Sequence, residues 1–144
     1  MSTFHRGNAR LRICVDSSDG GHISGTVFSQ RLIKPMAFCD LGSLILSVDD
    51  VLEAQKFPQA FQRSRSFTKE QRECPIAADS PEDGIAAERV EAAHGKLLTF
   101  DILVISRRSS SWQGFIDWVD ENRREEFFSA LEIIRLVDAH LFDR

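Results

Sequence analysis

The sequence predicts an α+β protein in which two copies of one β-meander-plus-helix unit form an antiparallel sheet packed by two helices. Two observations lead to this fold class. Residues 11–52 align without a gap on residues 100–141, and most of the matching positions are apolar. Each copy also shows strand-forming residues followed by an amphipathic helix, so that the unit is either βββα or ββα.

The alignment of the two copies has nine identical positions out of 42, where chance gives about two or three at ordinary composition. The identities are Ile13/Ile102, Val15/Val104, Ser17/Ser106, Gly25/Gly114, Phe38/Phe127, Ile45/Ile134, Val48/Val137, Asp49/Asp138 and Leu52/Leu141. They fall on apolar positions, on one strand glycine and along a helix. This pattern favours duplication over independent convergence of two strand-plus-helix units.

Length and composition predict a single domain, 1–144, because 42% of the 144 residues are hydrophobic and can form one core. Within it we place the first repeat at about 10–56 and the second at about 97–142. A loop and mobile linker of about 57–96 joins them. Its mobility is predicted from the polar and acidic run 68–86, which also contains two prolines.

The second copy has the clearer strand pattern. Residues 100–105 are apolar and β-branched, as in a buried strand, and the polar residues 107–111 suit a hairpin turn. Residues 112–119 alternate in part between apolar and polar. A second turn at 121–124 then precedes a short third strand at 125–128.

A helix-capping residue precedes the apolar stripe in both copies. Ser129 is followed three residues later by Glu132, which is the spacing of a capping box, and Asp40 takes the equivalent place in the first copy. An earlier start for the second helix, at Asn122, is disfavoured because Phe127 and Phe128 would crowd its first turns.

Two glycines, Gly25 and Gly114, lie inside predicted strands. Glycine at such a place is typical of a β-bulge or of a close approach by another backbone. We expect the approaching element to be a helix or the other copy.

Several short motifs together resemble a known family. They are Phe57-Pro58-Gln59, Trp112-Gln113-Gly114, Phe127, Ser129-Ala130-Leu131-Glu132 and Asp138. The chain is similar here to a family of small uncharacterised proteins of anaerobic Gram-positive bacteria that combine a W-Q-G strand with an S-x-L-E helix. The resemblance covers most of the chain outside the linker. It implies a shared fold and carries no known activity.

Charge and targeting features favour a cytoplasmic protein. The 22 acidic and 18 basic residues give a net charge of -4, which disfavours a nucleic-acid partner. No stretch reaches the roughly 20 apolar residues that span a bilayer, so we expect no membrane partner. The polar start lacks the apolar core of a secretory signal, and three cysteines without a C-x-x-C pair suit reduced thiols.

Motifs for catalysis, metals and cofactors are missing from the sequence. The four histidines form no i, i+4 pair, and no Cys/His cluster or phosphate-binding glycine loop is present. We therefore expect no cofactor, no metal site and no enzymatic activity.

The leading functional hypothesis is a non-enzymatic binding or adaptor/inhibitor module that acts through protein–protein contacts. Trp112 and Trp118 on one strand face are candidate anchors for a partner, although both would also suit the core. Unpaired strand edges favour a homodimer as well.

The alternative hypothesis is single-stranded nucleic-acid binding through the sheet face and the turn arginines, where aromatic and basic residues lie close together. An unrecognised enzyme is a second alternative. Taken together, the two binding hypotheses give one candidate binding surface. Its residues are Trp112, Trp118, Arg63, Arg65, Phe61, Phe67, Arg107, Arg108, Arg123 and Arg124.

Overall fold

The computed structural model describes residues 4–20, 22–58, 74–108 and 111–142, without the side chains of Arg108 and Phe142. Over these residues the fold is α+β, with six strands in one antiparallel sheet and three α-helices. The strands are β1 (Leu11–Asp19), β2 (His22–Phe28), β3 (Met36–Phe38), β4 (Leu98–Arg108), β5 (Ser111–Trp118) and β6 (Arg123–Phe127). The helices are α1 (Leu41–Gln55), α2 (Ala87–Ala92) and α3 (Ala130–Phe142).

The strand order is β3-β2-β1-β4-β5-β6, so the sheet consists of two three-stranded meanders joined at its centre. The joint is the antiparallel pair β1–β4, in which Leu11 lies opposite Ile102 and Ile13 lies opposite Phe100. The expected α+β class with an antiparallel sheet is confirmed. The outermost strands are β3 and β6.

The two strand glycines occupy the same kind of position in the two meanders. Gly25 on β2 pairs with Val15 on β1, and Gly114 on β5 pairs with Val104 on β4. In both meanders the register shifts directly after that valine, as expected at a β-bulge.

A backbone carbonyl of the preceding strand lies against each glycine. A Cβ atom on Gly25 would lie 1.9 Å from the carbonyl oxygen of Cys14, and one on Gly114 would lie 1.9 Å from that of Leu103. The predicted close approach is therefore present. The approaching element is the neighbouring strand of the same meander, and the prediction of a helix or the other copy is wrong.

Side-chain caps fix the start of both long helices as predicted. Asp40 Oδ1 accepts a hydrogen bond from the Ser43 backbone N–H at 2.6 Å, and Ser129 Oγ accepts one from the Glu132 N–H at 3.1 Å. The alternative start at Asn122 is excluded, because β6 follows that residue directly.

The apolar stripes of α1 and α3 enter the same hydrophobic cluster as the central strands. The cluster includes Leu44, Val48, Val51 and Leu52 from α1, Ile133 and Val137 from α3, and Ile13, Phe100, Ile102 and Ile116 from the sheet. Among the described residues, no helix combines the length and the apolar character needed to cross a bilayer.

A third helix, the short α2, packs on the sheet in addition to the two helices of the predicted fold class. Arg12 Nη1 on β1 donates to the carbonyls of Glu91 and Ala93 at 3.0 Å each, and the Arg89 guanidinium lies 5.8 Å from the ring centre of Phe28 on β2. Side chains alternate along a strand, so Arg12 points away from the core side occupied by Leu11 and Ile13. The helix α2 therefore covers part of the face of the sheet opposite to α1 and α3.

Part of the segment expected to be a mobile linker is packed into the fold. Ala77 forms a β-bridge with Leu32, and the Ile85 N–H donates to the Leu32 carbonyl at 2.8 Å. Ala78 and Ile85 are both buried. Polar composition predicted mobility, but a few small and apolar residues are enough to hold residues 74–86 against the β2–β3 connection.

We predict that Gly114→Ala lowers the free energy of unfolding by about 2–4 kcal/mol, because the new methyl group would overlap the Leu103 carbonyl and the strand would have to shift. Gly42→Ala, in α1, serves as the matched control and should stay within about 1 kcal/mol of the wild type. Urea denaturation measures both variants. Equal stability of Gly114→Ala and the wild type would contradict the close strand approach.

Candidate functional site

The two tryptophans of the predicted surface lie in the core. Trp112 and Trp118 occupy the buried face of β5 and expose only 5% and 2% of their surface. The Trp118 ring packs 5.4 Å from Phe100, centre to centre, and stacks on His140 of α3 at 4.1 Å. They are therefore core residues and not exposed anchors.

The predicted arginines do not form one surface. Arg107 is buried, where its Nε donates to the Pro58 carbonyl at 2.7 Å and its Nη1 lies 2.8 Å from Glu53 Oε2. Arg123 and Arg124 are exposed on the edge strand β6. Five further members of the predicted surface lie outside the described residues or side chains: Phe61, Arg63, Arg65, Phe67 and Arg108.

A row of four charged residues crosses the sheet on the face opposite to α1 and α3, which we call the outer face. Strand pairing places Arg12 opposite Asp101, Asp101 opposite Asp117, and Asp117 opposite Arg124. Two neighbouring carboxylates repel each other, and an arginine at either end of the row offsets this repulsion. Arg124 forms a two-point pair with Asp117, at 2.6 and 3.1 Å.

Two members of this row, Arg12 on β1 and Asp101 on β4, are buried. Arg12 Nε lies 2.6 Å from Asp101 Oδ1 and Arg12 Nη2 lies 3.3 Å from Asp101 Oδ2, and both side chains are only 4% exposed. Arg10 Nη1 adds a contact to Asp101 Oδ2 at 3.1 Å. Burial by itself lowers the pKa of Arg12, but the hydrogen bond and charge of Asp101 and the charge of Glu91 outweigh it and raise that pKa.

A cleft of about 350 Å³ opens on the outer face above this row. Four arginines and two aspartates are among the residues that line it, namely Arg10, Arg12, Arg123, Arg124, Asp101 and Asp117. Asp101 is shared by Arg10 and Arg12, while Asp117 is held by Arg124. The lining is therefore rich in cationic hydrogen-bond donors.

A second cleft, of about 650 Å³, lies between β6 and α3. Its wall includes Trp118 and His140, and His140 Nε2 is 2.8 Å from Glu121 Oε2. Trp118 lines both clefts, and its buried indole N–H has no hydrogen-bond partner among the described residues. The end of the β5–β6 hairpin thus separates the two clefts.

Arg31 is a fully buried cation in the β2–β3 connection. Its Nε donates to Gln55 Oε1 at 2.7 Å and its Nη2 donates to the Phe57 carbonyl, whereas Nη1 has no partner among the described residues. The guanidinium lies between the rings of Phe4 and Phe57, at 5.6 and 5.5 Å from their centres. Burial, and then the charge of Arg107, lowers the pKa of Arg31 to about 9.

Three of the residues that define these features were not singled out from the sequence: Arg12, Asp101 and Arg31. The sequence did contain a signal for Arg12 and Asp101. They are 89 residues apart, so they align with each other when residues 11–52 are laid over residues 100–141. Opposite charges at equivalent positions inside two predicted strands form a direct contact when the two units pair about that position, as they do here. Arg31 gave no such signal, because arginine in a loop is usually solvated.

Comparisons with known proteins add no assignment. No family model, no curated protein and no solved structure matches the chain. Within the described residues, no group of three or more His, Cys, Asp or Glu side chains could hold a metal ion.

We predict that Asp101→Asn lowers the free energy of unfolding by about 3 kcal/mol, because it removes the buried counter-charge of Arg12 and leaves only the longer contact with the exposed Glu91 at 3.7 Å. Asp117→Asn is the matched control in the same row. Its pair with Arg124 is partly exposed, so the loss should be below about 1 kcal/mol. Equal losses in chemical denaturation would show that the inner pair has no special role.

We predict that the stability of the wild type rises relative to Arg31→Met as the pH increases above about 9. The pKa of this guanidinium is much higher in the unfolded chain, which keeps it protonated through the alkaline range, whereas the folded protein releases the proton from about 9. The unfolded state therefore binds more protons in this window, and stability increases with pH by up to about 1.4 kcal/mol per unit. Urea denaturation of both proteins at several pH values measures the difference, and a constant difference would contradict the lowered pKa.

Proposed function

We propose that the protein is a non-enzymatic binding module that acts through protein–protein contacts along the edge strand β6. The observation that carries this proposal is an apolar pair beside an unpaired strand edge. Among the described residues β6 pairs only with β5, and Phe128 and Leu131, which follow it, are each 56% exposed. An unpaired edge with adjacent apolar side chains supports the addition of a partner strand.

Backbone and side chains have separate roles in this mode of binding. The backbone N–H and C=O groups on the outer edge of β6 pair with an extended partner segment, and Phe128 and Leu131 supply the apolar contact. The backbone of Phe128 is fixed by β5, because Ser111 Oγ donates a hydrogen bond to the Phe128 carbonyl at 2.6 Å. Exposed aromatic residues at such fixed positions are typical of binding hot spots.

The charges on β6 favour a partner segment that carries acidic residues. Arg123 lies 2.5 Å from Glu125, and Arg124 contacts Asp117, in ion pairs that are largely exposed. Exposed ion pairs contribute roughly 0–1 kcal/mol, so an incoming carboxylate can take the place of Glu125 or Asp117 at small cost. A single acidic side chain beside an apolar one would therefore match this edge.

We also propose that the two meanders with their helices arose by duplication. The support is the equal spacing of 89 residues between Val15 and Val104 and between Gly25 and Gly114, with the same pairing and the same register shift in both. The edge strands β3 and β6 then correspond to each other. Because β3 has three residues and β6 has five, the second copy offers the longer edge to a partner.

The cysteines support a cytoplasmic location for this module. Cys14, Cys39 and Cys74 are free thiols, and sparse free thiols are typical of reducing compartments. Burial raises the pKa of the Cys14 thiol to about 11, so this group is protonated and unreactive near neutral pH.

Single-stranded nucleic-acid binding through the sheet face is the less supported alternative. The tryptophans are buried, and two carboxylates, Asp101 and Asp117, occupy the middle of the outer face. A phosphate chain laid across the sheet would meet these acids. Protein binding at the β6 edge meets no such obstacle.

We predict that the double variant Phe128→Ser and Leu131→Ser weakens partner binding at least tenfold, because it removes the apolar contact beside β6. Leu46→Ser is the matched control, since Leu46 is 69% exposed on α1. Affinity purification from the native cell with wild-type and variant baits identifies partners that depend on Phe128 and Leu131. Titration calorimetry with the purified partner then gives the ratio of dissociation constants.

Two outcomes would contradict this proposal. Partners captured equally by the wild type and the double variant would place binding elsewhere on the surface. Loss of the same partners with Leu46→Ser would show that general surface hydrophobicity is responsible and not the β6 edge.

A further inference from the structure

We propose that the occupant of the β6 edge is a second copy of this chain, so that two sheets join antiparallel through their β6 strands. The inference rests on the proposed function, because it names the partner of the same edge. Its basis is the sequence of β6 itself. This strand contains the arginines of the edge together with the acidic residues expected of its partner, and the exposed Phe128 follows it directly.

A symmetric dimer restricts the ways in which two β6 strands can pair. Antiparallel copies of one strand are related by a twofold axis perpendicular to the sheet, which leaves each face of the sheet on its own side. Side chains alternate between the two faces along a strand, so a residue meets a residue of the same face. Each allowed pairing is therefore centred on one residue of β6 that faces its own copy.

The pairing centred on Glu125 is the one that the strand favours. It aligns all five residues of β6 with the five of the second copy, whereas centring on Arg124 or on Glu126 leaves two residues of each strand unpaired. It also places Arg124 opposite Glu126 of the other copy, twice, on the outer face. Opposite charges directly across two antiparallel strands stabilise their pairing.

Both members of this contact are available in the single chain. Arg124 uses Nε and Nη2 for Asp117, so the N–H groups of its Nη1 have no acceptor in the described part of the chain. Glu126 is exposed and, over the same residues, forms no ion pair. A carboxylate of the second copy can therefore bind Arg124 while the pair with Asp117 stays in place.

One like-charge contact opposes this register, because the two Glu125 residues face each other at its centre. Each of them keeps Arg123 of its own copy at 2.5 Å, which offsets the repulsion. Centring on Glu126 would bring together two carboxylates without an ion-pair partner among the described residues, and centring on Arg124 would bring together two guanidinium groups. Charges on an edge strand commonly prevent edge pairing, but here their order allows one register and disfavours its neighbours.

Phe128 adds an apolar contact at each end of the joined strands. In this pairing it lies beside the start of β6 in the second copy, which begins with Arg123 and Arg124. The residue is 56% exposed in the single chain, and an aromatic ring beside a guanidinium is favourable. The interface is small, so we expect a weak dimer with a dissociation constant of about 10 µM to 1 mM.

The test is the oligomeric state of the full chain, followed by sedimentation velocity from about 5 µM to 1 mM protein. We expect a reversible monomer–dimer equilibrium at low ionic strength. Added sodium chloride should weaken it, because the Arg124–Glu126 contacts lie at the surface.

Charge reversal at the paired positions tests the register. Glu126→Arg brings two cations together and Arg124→Glu brings two anions together, so each variant alone should dimerise at least tenfold more weakly. An equimolar mixture of the two variants restores opposite charges at both contacts, and its mixed dimer should return to within about threefold of the wild type. Glu88→Arg is the matched control, because Glu88 is exposed on α2 and the net charge changes as in Glu126→Arg. This control should leave self-association unchanged.

Three results would overturn self-pairing through β6. They are a chain that stays monomeric up to about 1 mM, a dimer that neither charge reversal weakens, and a mixture that associates no better than the single variants. The capture experiment with Phe128→Ser and Leu131→Ser judges the proposed function separately. A monomeric chain that captures a different protein, and loses it in that double variant, keeps β6 as the binding edge and excludes the second copy as its occupant.

Discussion

The buried pair of Arg12 and Asp101 is the interaction on which the two halves of this fold depend. It joins β1 to β4, the only strand pair that links the two meanders of the described sheet. Arg12 also holds the carbonyls of Glu91 and Ala93, so the same side chain fastens α2 to the outer face. A buried ion pair tolerates the loss of neither partner, because the remaining charge would stay in a medium of low polarity.

The position of this ion pair makes the pairing of β1 with β4 specific. Under the proposed duplication Arg12 and Asp101 are equivalent positions, and the strand pairing places these two residues directly opposite each other. If two identical units met in this way, the same residue would face itself, and a buried like-charge contact would be unfavourable. Opposite charges can face each other at this position only when the two units differ in sequence there. The pair therefore favours joining unlike halves of one chain over pairing like with like.

Local physics explains the part of the fold that was predictable from sequence. The capping by Asp40 and Ser129 depends on residues three positions away, and the bulges at Gly25 and Gly114 follow from the missing side chain. Burial of Trp118 depends on α3, which is distant in sequence, so the strand pattern favoured a core position for this residue without excluding an exposed one. The packing of residues 74–86 was hidden for the same reason, since their composition gives no hint of the β2–β3 connection that receives them.

The charged row and the cleft on the outer face were the least predictable features, because their residues look ordinary in the sequence. A charged residue inside a strand pattern normally indicates a solvent-facing side chain. Here Arg12 and Asp101 are buried on the face that carries α2, whose C-terminal carbonyls at Glu91 and Ala93 accept hydrogen bonds from Arg12. Further along that face, Asp117 and Arg124 continue the charged row beyond the buried pair, and the cleft of about 350 Å³ forms there. The contact with a short helix thus accompanies both the buried charge that links the two meanders and the open cleft beside it.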